Sequence, residues 1–263
     1  MISRILKQFM SNVETQFIIE LFSKEGIEIR FVGGCIRDAL IGFSNYDIDF
    51  AINCDPDTTI KILLKNNVKI NDYSKKYGVI IAIKNNKKFE ITSLREDYNQ
   101  TGRDTEVKFT DDWNKDALRR DFTFNAMYLS LSGKLYDYFD GEEDLNNGIV
   151  RFIGNPNTSI KEDFIRILRF HRFLGCFKNI NIFTGYEEII NKNISFIKNN
   201  INNDVIKNEL IKMFNNPYPI NSFCNYKDPK QKNNLIKKIK QWWLEEKYEI
   251  GIKKCFIEID KLF

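Results

Sequence analysis

Two aspartates two residues apart, Asp47 and Asp49, close the stretch IRFVGGCIRDALIGFSNYDIDFAI at Ile29–Ile52. On a β-strand side chains alternate, so both carboxylates project from one face while Ile48 and Phe50 take the other. Paired hard oxygen donors suit Mg²⁺. Upstream, Gly33-Gly34 permits a tight turn and close backbone approach to a ligand, and the helical pattern after it starts with free N–H groups suited to a triphosphate. Arg37, in the first turn of that helix, adds a guanidinium for the same anion. Metal-binding carboxylates beside a phosphate cradle point to nucleotide chemistry.

Several elements must position these groups. A β-prone run at 28–32 leads into the glycines, a second strand at 46–52 carries the aspartates, and a helix at 56–66 follows. Strands are expected at 78–84 and 87–94, and an amphipathic helix over Ile2–Lys24 packs against them. Segment 95–111, REDYNQTGRDTEVKFTD, has no clear period and reads as a mobile loop. Beyond it helical periods dominate. Ser159 to Glu162 reads as a capping box opening a helix to about Phe173, and further helices are expected near 184–191, 203–214 and 231–262. The fold class is α+β, with a head over 1–150 and an all-helical region over 151–263.

With 263 residues, 43% hydrophobic and 14% aromatic, the chain has enough apolar surface for a proper core. A net charge of +4 permits nucleic-acid binding without demanding it. Cys35, Cys54, Cys176, Cys224 and Cys255 form no CxxC pair, and no signal peptide or long apolar span appears, so the chain reads as reduced, cytoplasmic and without a membrane anchor. A single histidine, His171, excludes His-rich zinc sites and makes carboxylates and metal the basis of any chemistry.

Two further constellations join the first. Arg119-Arg120-Asp121 runs into the apolar FTFNA, which anchors the charged trio to the core. Arg120 can then hold a phosphate, and Asp121 or Asn125 a ribose hydroxyl or a neighbouring arginine. In EDFIR, Asp163 and Arg166 are three apart on a helix and share a face. A carboxylate there accepts from the exocyclic amino group of cytosine or adenine, and the guanidinium donates to the adjacent ring nitrogen or oxygen. Uracil and guanine would oppose an acceptor to Asp163 and be rejected.

These motifs closely resemble the nucleotidyltransferase superfamily, in particular the class II tRNA nucleotidyltransferases, or CCA-adding enzymes, and the bacterial poly(A) polymerases. RRDFTFNA resembles the family's RRDxTxNA, and EDFIRILRFHRF resembles its EDPLRILRAVRF, with Phe164 in place of proline. The resemblance implies a polymerase-beta-like head followed by a helical neck and short body. It also implies two Mg²⁺ ions on Asp47 and Asp49, with Glu90 of FEITSLR as a third catalytic carboxylate. CTP and ATP would be the substrates, bound by Gly33, Gly34, Arg37, Arg120, Asp121, Asp163 and Arg166, with Arg169 and Arg172 continuing toward nucleotide or RNA. DGEEDL at Asp140–Leu145, with Gly148 and Arg151, resembles the head-to-neck link. The tRNA 3′ end would be the partner, and oligomeric state is left open.

Family members generally continue into longer body and tail regions that hold the tRNA. Lys230, Lys232, Lys237, Lys238 and Lys240 beside Trp242 and Trp243 read either as an ordinary solvated helix whose tryptophans belong to the core or as a lysine surface that meets tRNA phosphates in their place. Within the family an A-adding enzyme, a CC-adding enzyme or a poly(A) polymerase remains open, although the retained 95–111 segment argues against CC-only addition. More distant readings are a small-molecule nucleotidyltransferase and an inactive RNA-binding relic.

Overall fold

A computed structural model describes residues 1–43, 47–101 and 104–223. Two compact units emerge, Met1–Asn146 with Arg151–Gly154, and Asn147–Val150 with the chain from Asn155 onward. The expected helix at 231–262, the lysines and tryptophans within and before it, and Cys224 and Cys255 lie outside the described residues.

The first unit begins with α1 (Ile2–Met10) and α2 (Val13–Lys24), where one helix was expected. Asn12 causes the break: its side chain accepts from the amides of Glu14 and Thr15, capping α2. Next come β1 (Ile29–Val32), α3 (Gly34–Leu40), β2 (Asp49–Ile52), α4 (Pro56–Lys65), β3 (Lys69–Asn71), β4 (Val79–Lys84) and β5 (Lys87–Ser93). After β6 (Arg95–Thr101) and β7 (Asp104–Phe109), the unit continues through α5 (Trp113–Leu118), β8 (Met127–Leu129), β9 (Leu135–Asp137) and α6 (Gly141–Asn147). The main sheet has the order β3-β4-β5-β2-β1-β8-β9, with β2 and β5 parallel and the other pairs antiparallel, so the expected mixed sheet is present.

One sheet face is sealed by aromatic side chains. Phe9 meets Phe31 at 4.8 Å between ring centroids, Phe31 meets Phe50 at 5.1 Å, and Phe50 meets Phe89 at 6.1 Å. These rings are buried, and their burial against α1 and α2 fixes which residues of β2 and β5 turn to the opposite face. That opposite face receives Asp49 and Ala51 from β2, and Glu90 and Thr92 from β5.

Segment 95–111 is not an irregular loop. Strands β6 and β7 pair antiparallel with Arg95 opposite Phe109 and Tyr98 opposite Glu106. The sequence hides this because polar residues occupy both sides of the ribbon, leaving no apolar alternation to read. The ribbon base packs at Gly78, which adopts φ +76° and where a Cβ would lie 2.7 Å from the Phe109 ring.

In the second unit α7 (Pro156–Glu162), α8 (Ile165–Leu174), α9 (Tyr186–Asn193), α10 (Ile197–Asn200) and α11 (Asn203–Asn215) are all helical, in keeping with the expected α+β division. The expected capping box at Ser159 is overturned. Asn155 caps α7 by accepting from Asn157 and Thr158, with Pro156 in the first turn, and Ser159 is buried inside the helix. The helix expected to run to Phe173 is also interrupted. Asp163 has an extended backbone, φ −151° and ψ 107°, and its Oδ1 accepts from the Ile165 amide at 3.1 Å, so it ends one helix and opens the next.

Among the described residues no helix is long and apolar enough to cross a membrane.

Candidate active site

The carboxylates come first. Asp49 is the opening residue of β2 and pairs in register with Glu90 of β5. Asp47 precedes the strand and is exposed, so the expectation of one strand carrying both aspartates is corrected: the pleat positions Asp49 and Glu90, and Asp47 approaches from the connecting segment. Burial pushes the Asp49 carboxyl up to about 7, reinforced by the negative charges of Glu90 and Asp47 and opposed by Arg120 and Arg37. A carboxylate raised by two like neighbours fits a site completed by a cation. Among the described residues, no three His, Cys, Asp or Glu side chains already form a metal cage.

Basic residues share the site with them. A cleft of about 180 Å³ is lined by Gly33, Gly34, Asp49 and Glu90 together with Arg95, Arg119 and Arg120. Gly33 adopts φ +66°, and a Cβ there would lie 3.3 Å from the Asn125 carbonyl oxygen and 3.4 Å from Arg120 Nη1. The turn therefore admits close packing of backbone against guanidinium, which any side chain would obstruct. Helix α3 then starts at Gly34 and carries Arg37.

Arg37 is held by two residues. Its Nε and Nη2 donate to the two Asp38 carboxylate oxygens at 2.8 and 2.9 Å, and its Nη1 donates to Asn125 Oδ1 at 2.6 Å. Asn125 Nδ2 in turn donates to Asp121 Oδ1 at 2.9 Å, and the same oxygen accepts from the Phe122 amide. Of the two partners expected for Asn125, a ribose hydroxyl or an arginine, the arginine is seen. Asp121 is buried and braces Asn125.

Sequence reasoning gave Arg95 and Arg119 no site role of their own and missed Asp116. Arg119 and Arg120 both bridge to Asp116, at 2.7 and 2.9 Å, and Asp116 is fully buried. Its spacing of three and four from the two arginines is the only signal the sequence offers, and that spacing is common on exposed helices.

In the second unit, Arg166 Nη1 donates to Ser159 Oγ at 2.6 Å and to Glu162 Oε2 at 2.9 Å, and the Arg166 amide donates to the Asp163 carbonyl at 3.0 Å. Asp163 is therefore adjacent to Arg166 at the head of α8, without lying on a continuous helix with it as expected. Arg169 lies 6.0 Å from the Phe173 ring centroid. Arg172, expected to continue toward nucleotide or RNA, is bridged to Glu209 of α11 at 2.7 Å, the glutamate buried and the arginine partly so.

Residues 29–151 match the poly A polymerase head domain. The mitochondrial CCA tRNA nucleotidyltransferase 1 of Danio rerio is 46% identical over 159 residues, covering 60% of this chain and 37% of that protein. A CCA-adding enzyme of Staphylococcus aureus is 37% identical over 158 residues, covering 59% of this chain and 38% of its own. The chain thus spans 37 to 38% of the length of these relatives. Among solved structures, the Bacillus stearothermophilus CCA-adding enzyme in complex with CTP aligns with a TM-score of 0.68 and 26% identity, covering 79% of this chain and 49% of that one. The paired Asp49 and Glu90, the glycine turn and the three arginines all lie within residues 29–151, the stretch that is similar to the poly A polymerase head domain.

Proposed function

We propose that this protein is a template-independent tRNA nucleotidyltransferase that transfers CMP and AMP from CTP and ATP to the tRNA 3′ end. The observation that carries this reading is a single cleft lined both by Asp49 and Glu90 and by Gly33, Gly34, Arg95, Arg119 and Arg120. The carboxylates suit cations, and the glycine turn and arginines suit a triphosphate. The names of the relatives and the CTP complex of the bacterial enzyme support the choice of substrates.

In the reaction the terminal 3′ hydroxyl gives up its proton to solvent, its oxygen bonds to the α-phosphorus, the bond to the bridging oxygen breaks, and pyrophosphate leaves with the electron pair. Asp47 and Asp49 would hold two Mg²⁺ ions, which would supply Lewis acidity to the attacking hydroxyl and positive charge to the triphosphate. Glu90 adds negative charge beside Asp49 and strengthens the site for cations. Arg120 and the Gly33-Gly34 turn bind the phosphates, and Asn125 holds Arg37 by the same edge of the site. Base choice is assigned to Asp163 and Arg166, as amino-group acceptor and ring-edge donor; the Ser159 and Glu162 bonds brace Arg166. The helical second unit is assigned to the neck and tRNA contact. Free thiols at Cys35, Cys54 and Cys176 support a reducing compartment, read as the cytoplasm, while the vertebrate relative is named mitochondrial.

The test is incubation with tRNA lacking its 3′ end and each radiolabelled NTP, singly and in pairs. CTP alone should extend the tRNA, ATP should extend it fully only after CTP, and UTP and GTP should not be used. Absence of incorporation from every NTP would overturn the reading.

A further inference from the structure

We infer that Asp116 is a positioning residue that fixes Arg119 and Arg120 as a pre-aimed pair for the phosphates of the incoming nucleotide. This rests on the proposed reading of the cleft as a nucleotide site.

Asp116 sits on α5 with no exposed surface, and both its oxygens are occupied by the protein. Oδ1 accepts from Arg119 Nε at 2.8 Å and from the Arg95 amide at 3.2 Å. Oδ2 accepts from Arg120 Nη2 at 2.9 Å, Arg120 Nε at 3.3 Å and the Tyr128 hydroxyl at 2.6 Å. A carboxylate so enclosed cannot reach a nucleotide. Its influence passes through the two guanidinia, both of which line the cleft.

The geometry at Arg120 shows how. Asp116 takes the Nε and Nη2 edge, leaving Nη1 beside Gly33, 3.4 Å from where a Cβ would stand and in a long 3.5 Å contact with the Asn125 carbonyl. The Tyr128 ring lies 5.3 Å from the same guanidinium and limits its rotation. An unrestrained arginine side chain loses rotamer entropy when a ligand fixes it, so holding two of them before the ligand arrives lowers the cost of binding. Burial disfavours the Asp116 charge, yet Arg120 and Arg119 hold its carboxyl well below the usual range, so it stays ionised.

Positioning and plain electrostatics predict opposite signs. Asp116 is a negative charge behind an anion site, so by Coulomb's law its removal strengthens phosphate binding. If Asp116 acts by aiming the arginines, its removal weakens binding. The probe is inorganic tripolyphosphate, titrated calorimetrically into the full chain. Asp116→Asn should weaken tripolyphosphate binding about tenfold, and Asp116→Glu should recover part of it. Unchanged or tighter binding in a folded Asp116→Asn protein overturns the inference while leaving the nucleotide reading in place. A wild-type protein that binds neither tripolyphosphate nor CTP removes the nucleotide reading itself. Should Asp116→Asn fail to fold, Tyr128→Phe deletes one donor to the same oxygen and loosens Arg120; a roughly threefold weakening is expected, and unchanged binding there also overturns the inference.

Discussion

Asp49 on β2 stands opposite Glu90 on β5 in a parallel ladder, so two acidic side chains share one face at adjacent strand positions. Strands in a ladder lie about 4.8 Å apart, close enough for like charges to repel strongly when one is partly buried. The sheet therefore stores an electrostatic penalty at the site proposed for metal.

That penalty depends on pH. Folded Asp49 holds its proton to about pH 7, whereas an unfolded aspartate releases it near 3.8. Between those values the folded chain binds more protons, so its metal-free stability falls as pH rises, by on the order of 1 to 3 kcal/mol. Urea midpoints of wild type and Asp49→Asn should coincide near pH 4, with the variant the more stable near pH 7.5. Mg²⁺ at pH 7.5 should raise the wild-type Tm and leave the variant's nearly unchanged. Parallel pH profiles for the two proteins would remove Asp49 as the source.

Gly33→Ala places a methyl group against the Asn125 carbonyl and Arg120 Nη1 on a backbone of positive φ. The backbone strain costs about 1 to 2 kcal/mol, and displacing Arg120 should raise the KM for CTP roughly tenfold. Steady-state kinetics with thermal melts checks both. A wild-type KM would mean that the turn tolerates a side chain.

Asp163→Asn separates base choice from helix capping. The amide oxygen keeps the bond to the Ile165 amide, so α8 should retain its start and the Tm should change little. The new NH₂ can donate to the carbonyl oxygens of uracil and guanine, so UTP and GTP incorporation should rise relative to CTP and ATP. An unaltered preference for CTP and ATP would sink the base-selecting role.

Arg172 is a stability residue on the geometry seen. Removing it leaves the buried Glu209 carboxylate with Lys212, at 3.2 Å, as its remaining ion pair, so Arg172→Met should lower stability by about 2 kcal/mol while the ratio of CTP to UTP use is unchanged. Relaxed base choice in a fully stable variant would return Arg172 to the nucleotide site.

What the sequence reveals is local. Gly33, Gly34, Arg37, Asp47 and Asp49 fall within one short stretch, and their types and spacing already suggest phosphate and cation chemistry. Helix α4 and strands β4 and β5 follow apolar periods and lie where those periods place them. Register is not local. Nothing in FEITSLR indicates that Glu90 pairs with Asp49, because that depends on two strands 41 positions apart choosing the same sheet. Asp116 is hidden for a different reason: an acid three and four positions before two arginines reads as a surface ion pair, and burial alone gives it another meaning. At Asp163 a side chain bonds the backbone and splits a helix whose apolar pattern runs on unbroken.

The chain passes between its two units three times within ten residues, and this constrains how the pieces can be recombined. Residues 147–150 belong with the second unit, where Ile149 bridges to Asn181 and Gly148 has no room for a side chain beside Asn179. Residues 151–154 return to the first, where Arg151 binds the buried Asp144, Phe152 packs on Phe122, and Ile153 bonds the Asp121 carbonyl. A chimera joined at any single point between 146 and 155 therefore inherits a strip of foreign sequence in one unit or the other. Exchange of the helical unit among relatives would succeed only where both strips were already compatible, so this short lacing acts as a barrier to modular shuffling.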